Sequence, residues 1–282
     1  LLALPPLTDF VARKMRRSLP GWQHALLAGA LMFGAITIDF NDGAHGGALF
    51  PVASHPRENW FQAIDVQADP DVRAAVITGS GRAFSAGGDF GGGTSMASKT
   101  GLTMMQEARR VVDNLLDCEK PVVAAVNGAA AGLGATLALF CDVVVAARSA
   151  RIGDPHVKMG ITAGDGGAVI WPLLMGVNRA KYMLMSGDLI GAEEAYALGL
   201  VNKVVDDGEA LDEALRIAQK LAAGAPYAVQ TSKTAVNKFI KAVSNLVLPY
   251  SLAVEEVSMH TADYHEAVAA FQEKREPKFT GN

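Results

Sequence analysis

The sequence predicts an α/β fold with a helical last third. Three observations carry this. Residues 74–78 and 121–126 are short, continuous apolar runs rather than alternating ones, the form of strands buried on both faces of a parallel sheet. A glycine-rich turn and a helical stretch follow such runs repeatedly, giving a strand–turn–helix unit that repeats with right-handed crossovers. Beyond Gly164 strand patterns almost cease, and helical stretches separated by Gly and Pro take over.

In chain order, residues 33–40 (Phe-Gly-Ala-Ile-Thr-Ile-Asp-Phe) read as the first strand, followed by a glycine-rich turn over 42–47. A helix begins near Ser54, with Pro56 in its first turn, and is stopped by Asp69-Pro70-Asp71. The strand at 74–78 leads into a loop over 79–93, then an amphipathic helix over 103–116. Next come the strand at 121–126, a Gly/Ala-rich turn, a helix over 135–140 and a strand over 143–147. The remaining helices are expected at 167–174, 179–185, 192–198, 211–223 and 235–243. The organisation follows as an N-terminal extension with no assigned role (1–32), an α/β core (33–205) and a helical C-terminal region (206–282). Arg13, Lys14, Arg16 and Arg17 give the extension the look of a signal or transit segment, but no small-residue cleavage site stands out after them.

Composition narrows the function classes. Half of the 282 residues are hydrophobic, enough for a sizeable core. A net charge of −4 supplies no basic field for nucleic acid or an anionic membrane. Two apolar stretches approach the roughly 20 residues that span a bilayer. Residues 25–38 are too short, and residues 121–141 are broken by Asn127, Gly128, Gly132 and Gly134. Cys118 and Cys141 sit beside apolar segments and fit buried thiols in a reducing, cytoplasmic compartment. His24, His55, His260 and His265 share no ligand spacing, so no metal site is expected.

The chemistry is expected at two glycine turns. Phe84-Ser85-Ala86-Gly87-Gly88-Asp89 and Asn127-Gly128-Ala129-Ala130-Ala131-Gly132-Leu133-Gly134 each follow a buried strand and leave backbone N–H groups free to face an anionic oxygen. Neither carries the G-x-G-x-x-G spacing with a downstream acid that a dinucleotide fold needs.

Taken with Lys120-Pro121-Val122-Val123-Ala124-Ala125-Val126-Asn127-Gly128, Cys141-Asp142, Ser186-Gly187-Asp188, Ala192-Glu193-Glu194-Ala195, Gly199-Leu200-Val201-Asn202 and the tail from Phe271 to Phe279, these turns resemble the crotonase (enoyl-CoA hydratase/isomerase) superfamily over residues 33–279. The resemblance implies a spiral of ββα turns with a helical C-terminal trimerisation region, assembled as a homotrimer or a dimer of trimers. It implies an acyl-CoA substrate, with coenzyme A entering as part of that substrate and no permanently bound cofactor. The two oxyanion-hole N–H donors fall on Gly88 and Leu133. Ala44, His45, Gly46 and Ala86 match positions lining the coenzyme A path, and Lys274 matches a tail lysine that meets its phosphate.

The sequence departs from this pattern where a hydratase would place its two catalytic glutamates. Those positions are Thr136 and His156, and no Glu lies between Glu119 and Glu193. In their place stand His156 and, nine residues on, Asp165, a pair that could orient an imidazole and activate water. Together with Trp171-Pro172, this segment also resembles the crotonase-fold hydrolase that cleaves the cyclic β-diketone oxocamphor. A further active-site histidine of that enzyme falls on Leu133 here.

The residues alone also allow plainer roles: His156 as a loop histidine, Asp165 as a helix N-cap, Thr136 and Trp171 as packing residues, Lys274 as a solvated charge. Three functions stay open at this point. They are an acyl-CoA hydratase or isomerase using a His156/Asp165 acid–base pair, a β-diketone carbon–carbon hydrolase, and a catalytically silent acyl-CoA-binding subunit.

Overall fold

The computed structural model describes residues 66–68, 72–79, 81–87 and 102–282, together with the backbone of 35–39. Two sheets form the core. The first is five-stranded and wholly parallel, in the order β1 (Ala35–Asp39), β2 (Ala74–Thr78), β4 (Val122–Val126), β6 (Val143–Ala147) and β9 (Lys203–Val205). The second is four-stranded, from three-residue strands β3 (Ala83–Ser85), β5 (Ala129–Ala131), β7 (Arg151–Gly153) and β8 (Leu189–Gly191), of which only β7 and β8 pair antiparallel.

Period-two alternation explains why the long strands read as unbroken apolar runs. Ala75, Ile77, Val122, Ala124, Val126, Val144 and Ala146 face the main core. Their neighbours Ala74, Val76, Val123, Ala125, Val145 and Ala147 face a second core, closed by the helix Ala210–Ala222. Both faces are covered, so neither tolerates a polar residue.

The helices are α1 (Met104–Asp117), α2 (Leu133–Phe140), α3 (Gly167–Met175), α4 (Val177–Ser186), α5 (Ala192–Ala197), α6 (Ala210–Ala222), α7 (Pro226–Ser258) and α8 (Ala262–Glu273). Helix α1 opens on a capping box: Thr103 accepts from the Gln106 N–H, and the Gln106 side chain accepts from the Thr103 N–H. The repeating unit is long strand, short strand, helix: β2–β3–α1, then β4–β5–α2, then β6–β7 with the 3-10 turn Pro155–Met159 and α3. This is the spiral of ββα turns that the resemblance implied. The simple strand–turn–helix reading missed the short strands, because runs such as Ala129-Ala130-Ala131 carry no β-propensity.

The C-terminal region differs more. A helix was expected at 235–243, yet α7 runs for 33 residues. Pro226 sits in the first turn, where its missing N–H costs nothing. Pro249 lies inside the helix on an exposed side. Helix α8 was not anticipated. Polar anchors dock α7 across the core: Asn237 donates to the Leu116 carbonyl at 3.0 Å, and Lys233 pairs with Asp142 at 2.7 Å. Cys118 and Cys141 are both buried as free thiols. The helix expected over 54–68 is described only at its end, where 66–68 are helical, and the turn at 42–47 lies outside the described residues.

Candidate active site

The second glycine turn delivers α2 to the site. Gly132 has φ +54°, and a Cβ there would stand 3.2 Å from His156 Cε1. A side chain would therefore meet both backbone strain and the imidazole face. Leu133, half-buried, is the first residue of α2, so its N–H has no acceptor within the helix. The first glycine turn comes up against the same point, since a Cβ on Gly87 would lie 3.2 Å from the Leu133 nitrogen. Gly88 follows directly but lies outside the described residues, as do Ala44, His45 and Gly46.

His156 enters from the opposite side. Strand β7 ends at Gly153, and Asp154 precedes the 3-10 turn with Pro155 in its first position. Asp154 caps nothing with its side chain; its Oδ1 instead pairs with His156 Nδ1. Asp154 is fully buried, and only 11% of the imidazole is exposed. On the other ring edge, Nε2 stands 3.4 Å from Asp165 Oδ2. Asp165 does not cap α3, because the cap position belongs to Gly166 at φ +124°. Its Oδ1 accepts from Thr136 Oγ1 at 3.2 Å. The structure thus joins His156, Asp165 and Thr136.

One member of the cluster was not foreseen. Glu255 reaches in from α7, placing Oε1 3.9 Å from His156 Nε2. Helix α7 is strapped to the loop before Asp165 on both sides of this residue. Ser251 Oγ donates to the Gly164 carbonyl at 2.7 Å, and Ser258 Oγ accepts from the Thr162 N–H at 3.1 Å. Glu255 is 3% exposed, and its Oε2 has no hydrogen-bond partner; neither has Asp154 Oδ2. A signal existed: Ser244, Leu248, Ser251, Leu252 and Glu255 recur at helical spacing along the buried face of α7, and an acid in such a stripe demands a partner.

Charge then decides the protonation. Three ionised carboxylates around one imidazolium would leave two uncompensated negative charges in a nearly dry space, which proteins relieve by shifting a pKa. Burial, followed by repulsion from Asp165 and Asp154, pushes Glu255 up to about 8 against the pull of His156. For His156 burial is also the largest influence and acts downward. The combined attraction and hydrogen bonds of Asp165 and Asp154 outweigh it and hold the imidazole well above its ordinary value. Both groups therefore hold their protons more tightly than they would in water.

Asp154, His156 and Asp165 are also residue types that can ligate a cation. Asp154, His156 and Asp165 each bring a donor atom within 4.8 Å of the others.

The remaining predicted positions lie elsewhere. Ala86 is exposed at the end of β3, next to Gly87. Trp171 is wholly buried in α3, its indole N–H without a partner. Lys274 is exposed beyond the last turn of α8, with φ +54°.

Residues 53–282 match the enoyl-CoA hydratase/isomerase family. The chain belongs to this family. Among the relatives of this enoyl-CoA hydratase/isomerase family member, a short-chain-enoyl-CoA hydratase of Clostridium acetobutylicum is 37% identical over 212 residues, covering 75% of this chain and 81% of that protein. A 1,2-epoxyphenylacetyl-CoA isomerase of Escherichia coli is 36% identical over 220 residues, covering 77% and 84%. The crystal structure of an enoyl-CoA hydratase/isomerase from Mycobacterium paratuberculosis superposes with a TM-score of 0.71 at 38% identity, over 76% of this chain and 86% of that one. The family member described here thus has its crotonase fold and the glycine turn before α2, with an imidazole set between carboxylates beside that turn.

Proposed function

We propose that this protein turns over acyl-CoA thioesters by hydration or isomerisation, holding a thioester enolate between the N–H groups of Leu133 and Gly88 while His156 and Asp165 move the proton. One observation carries the reading: the His156 ring packs on Gly132, immediately before Leu133, with Nε2 3.4 Å from Asp165. A proton carrier and an oxyanion donor therefore flank one position, as enolate chemistry requires. The names of the two curated relatives, a hydratase and an isomerase of CoA thioesters, support the same substrate class. Coenzyme A belongs to the substrate on this reading and no permanent cofactor is needed. Ala86, next to Gly87, lines the coenzyme A path on this reading.

The reading includes a cytoplasmic, homo-oligomeric protein, a trimer or a dimer of trimers. Among the described residues no helix is long and apolar enough to cross a membrane. Helix α7 exposes Val236, Phe239, Leu246, Tyr250 and Val257, spaced by three, seven, four and seven residues like the seam of a helix–helix contact. That stripe fits a second copy of the chain.

The deciding experiment is turnover of a panel of enoyl-CoA, 3-hydroxyacyl-CoA and cyclic β-diketone substrates by wild type and His156→Ala. Loss of a detected activity in the variant supports the acid–base role, and undiminished activity rejects it. The imidazole between two aspartates also favours a second reading, hydrolytic cleavage of a β-diketone, which the panel separates from the first by the substrate accepted. Coenzyme A binding without turnover of any substrate would identify a silent binding subunit.

A further inference from the structure

We infer that Gly167 is a positioning residue of this site: its missing side chain leaves the slot that holds the Asp154 carboxyl, and through Asp154 it fixes the direction of the His156 ring. The inference deepens the proposed function and rests on its placement of His156 at the reacting centre.

The choice of glycine is the first support. Gly167 opens α3, and in a helix glycine is less favourable than any residue but proline. The backbone does not ask for it. Gly166, one residue earlier, has φ +124°, whereas Gly167 is not among the residues with positive φ, so alanine would suit the conformation better. Space excludes a side chain, and from one direction alone. A Cβ on Gly167 would meet Leu184 Cδ2 and Ala163 Cβ at ordinary contact distances of 3.5 and 3.6 Å, but it would run into Asp154 Oδ2.

The Asp154 side chain supplies the second support. It is wholly buried, it does not cap the 3-10 turn, and its Oδ2 has no hydrogen-bond partner. An orphaned buried oxygen is costly. This one lies at the first residue of α3, where the leading N–H groups have no acceptor within the helix and the positive end of the helix dipole favours an acidic oxygen. The other oxygen, Oδ1, accepts from His156 Nδ1. A carboxyl is planar, so the slot that takes Oδ2 also sets where Oδ1 points. Holding Nδ1 on Asp154 in turn directs Nε2 towards Asp165 Oδ2, 3.4 Å away. Two glycines thus hold one imidazole, Gly132 directly against the ring and Gly167 through the carboxyl on its Nδ1 edge.

The test is the proton NMR spectrum of 15N-histidine-labelled protein at a single pH. The His156 Nδ1–H, assigned by its absence from His156→Ala, should stand far downfield because Asp154 accepts from it. Gly167→Ala should move this resonance upfield or remove it. A resonance that Gly167→Ala leaves at its wild-type position would overturn the inference. Should Gly167→Ala not fold, the double variant Asp154→Ser/Gly167→Ala decides, because the shorter side chain frees the slot: a recovered fold supports the inference, and an unrecovered one rejects it. On an accepted substrate Gly167→Ala should lower kcat by about 10²-fold, the scale of a 1 Å misplacement, with KM nearly unchanged. It should add little to the loss already caused by Asp154→Ser, because both act through one contact. A merely structural role predicts a lower urea midpoint with kcat of the folded protein unchanged, and that pattern also rejects the inference. The NMR readout needs no substrate, so the proposed function and this inference can fail separately. An unmoved resonance with His156→Ala inactive sinks only the inference, and a moved resonance with His156→Ala fully active sinks only the function.

Discussion

Residues 122–175 and helix α7 meet at the same imidazole but were built under different constraints. In the first region strand, glycine turn and helix follow one another closely, so Gly132, Leu133, Thr136, Asp154, His156 and Asp165 lie within a short span of chain. Helix α7 contributes one buried acid from about a hundred residues away. Its outer face is apolar where a single copy of the chain leaves it open to solvent. The contrast separates a site's local chemistry, which a motif encodes, from its electrostatic balance, which depends on what the tertiary fold brings up against that motif.

The largest expected effect tests the local half. His156→Ala and Asp165→Asn should each lower kcat on an accepted thioester by about 10²- to 10⁴-fold, the range for general acid–base groups, measured by steady-state kinetics. Asp165→Asn leaving kcat within twofold would show that the imidazole needs only Asp154. Next in size is the outer face of α7. Charges at Phe239 and Leu246, 64% and 80% exposed, should convert an oligomer to monomer in light scattering, and an unchanged mass would remove this stripe from the subunit contact.

These two tests also mark how much was legible. The unbroken apolar strands, the turns and the His156/Asp165 pair could be read because each is local in sequence. The fold of the first region followed, with the helix Gly167–Met175 expected at 167–174. The length of α7 was not legible, because Pro226 and Pro249 look like stops and only the helix's docking shows that neither is one. Glu255 was hidden for a related reason: its meaning lies in a stripe whose period becomes visible only once the helix is known to be continuous. The pairing of Asp154 with His156 Nδ1 was not legible either, because it depends on a side chain that does not cap the turn it precedes.

A smaller effect probes the packing between the glycine turn and the ring. Gly132→Ala should destabilise the fold by about 1–3 kcal/mol, from the positive φ and the contact with His156 Cε1 at 3.2 Å, read as a lower midpoint in urea. It should also cost more in kcat than in stability, because the displaced ring is the one beside Leu133. A variant with normal stability and kcat would show that the ring does not depend on this turn.

The finest test concerns pH and sets the two regions against each other directly. Glu255 is raised to about 8 in the folded protein from an ordinary value of 4.5. Between these values the native state holds a proton that the unfolded state has released. Stability from this group is therefore complete below pH 4.5 and falls as pH rises to about 8, with a slope of at most about 1.4 kcal/mol per pH unit. His156 is also raised, so its contribution is complete below 6.5 and declines only as pH climbs through its higher folded value. The two losses begin at different points. Wild type should weaken progressively from pH 5 upward, whereas Glu255→Gln should hold its urea midpoint until about pH 6.5 and weaken only above it, since the Gln side chain keeps its shape and has no proton to lose. If the two proteins lose stability in parallel from pH 5, the buried acid of α7 is ionised in the native state, and the negative charge of the site must be balanced from within residues 122–175.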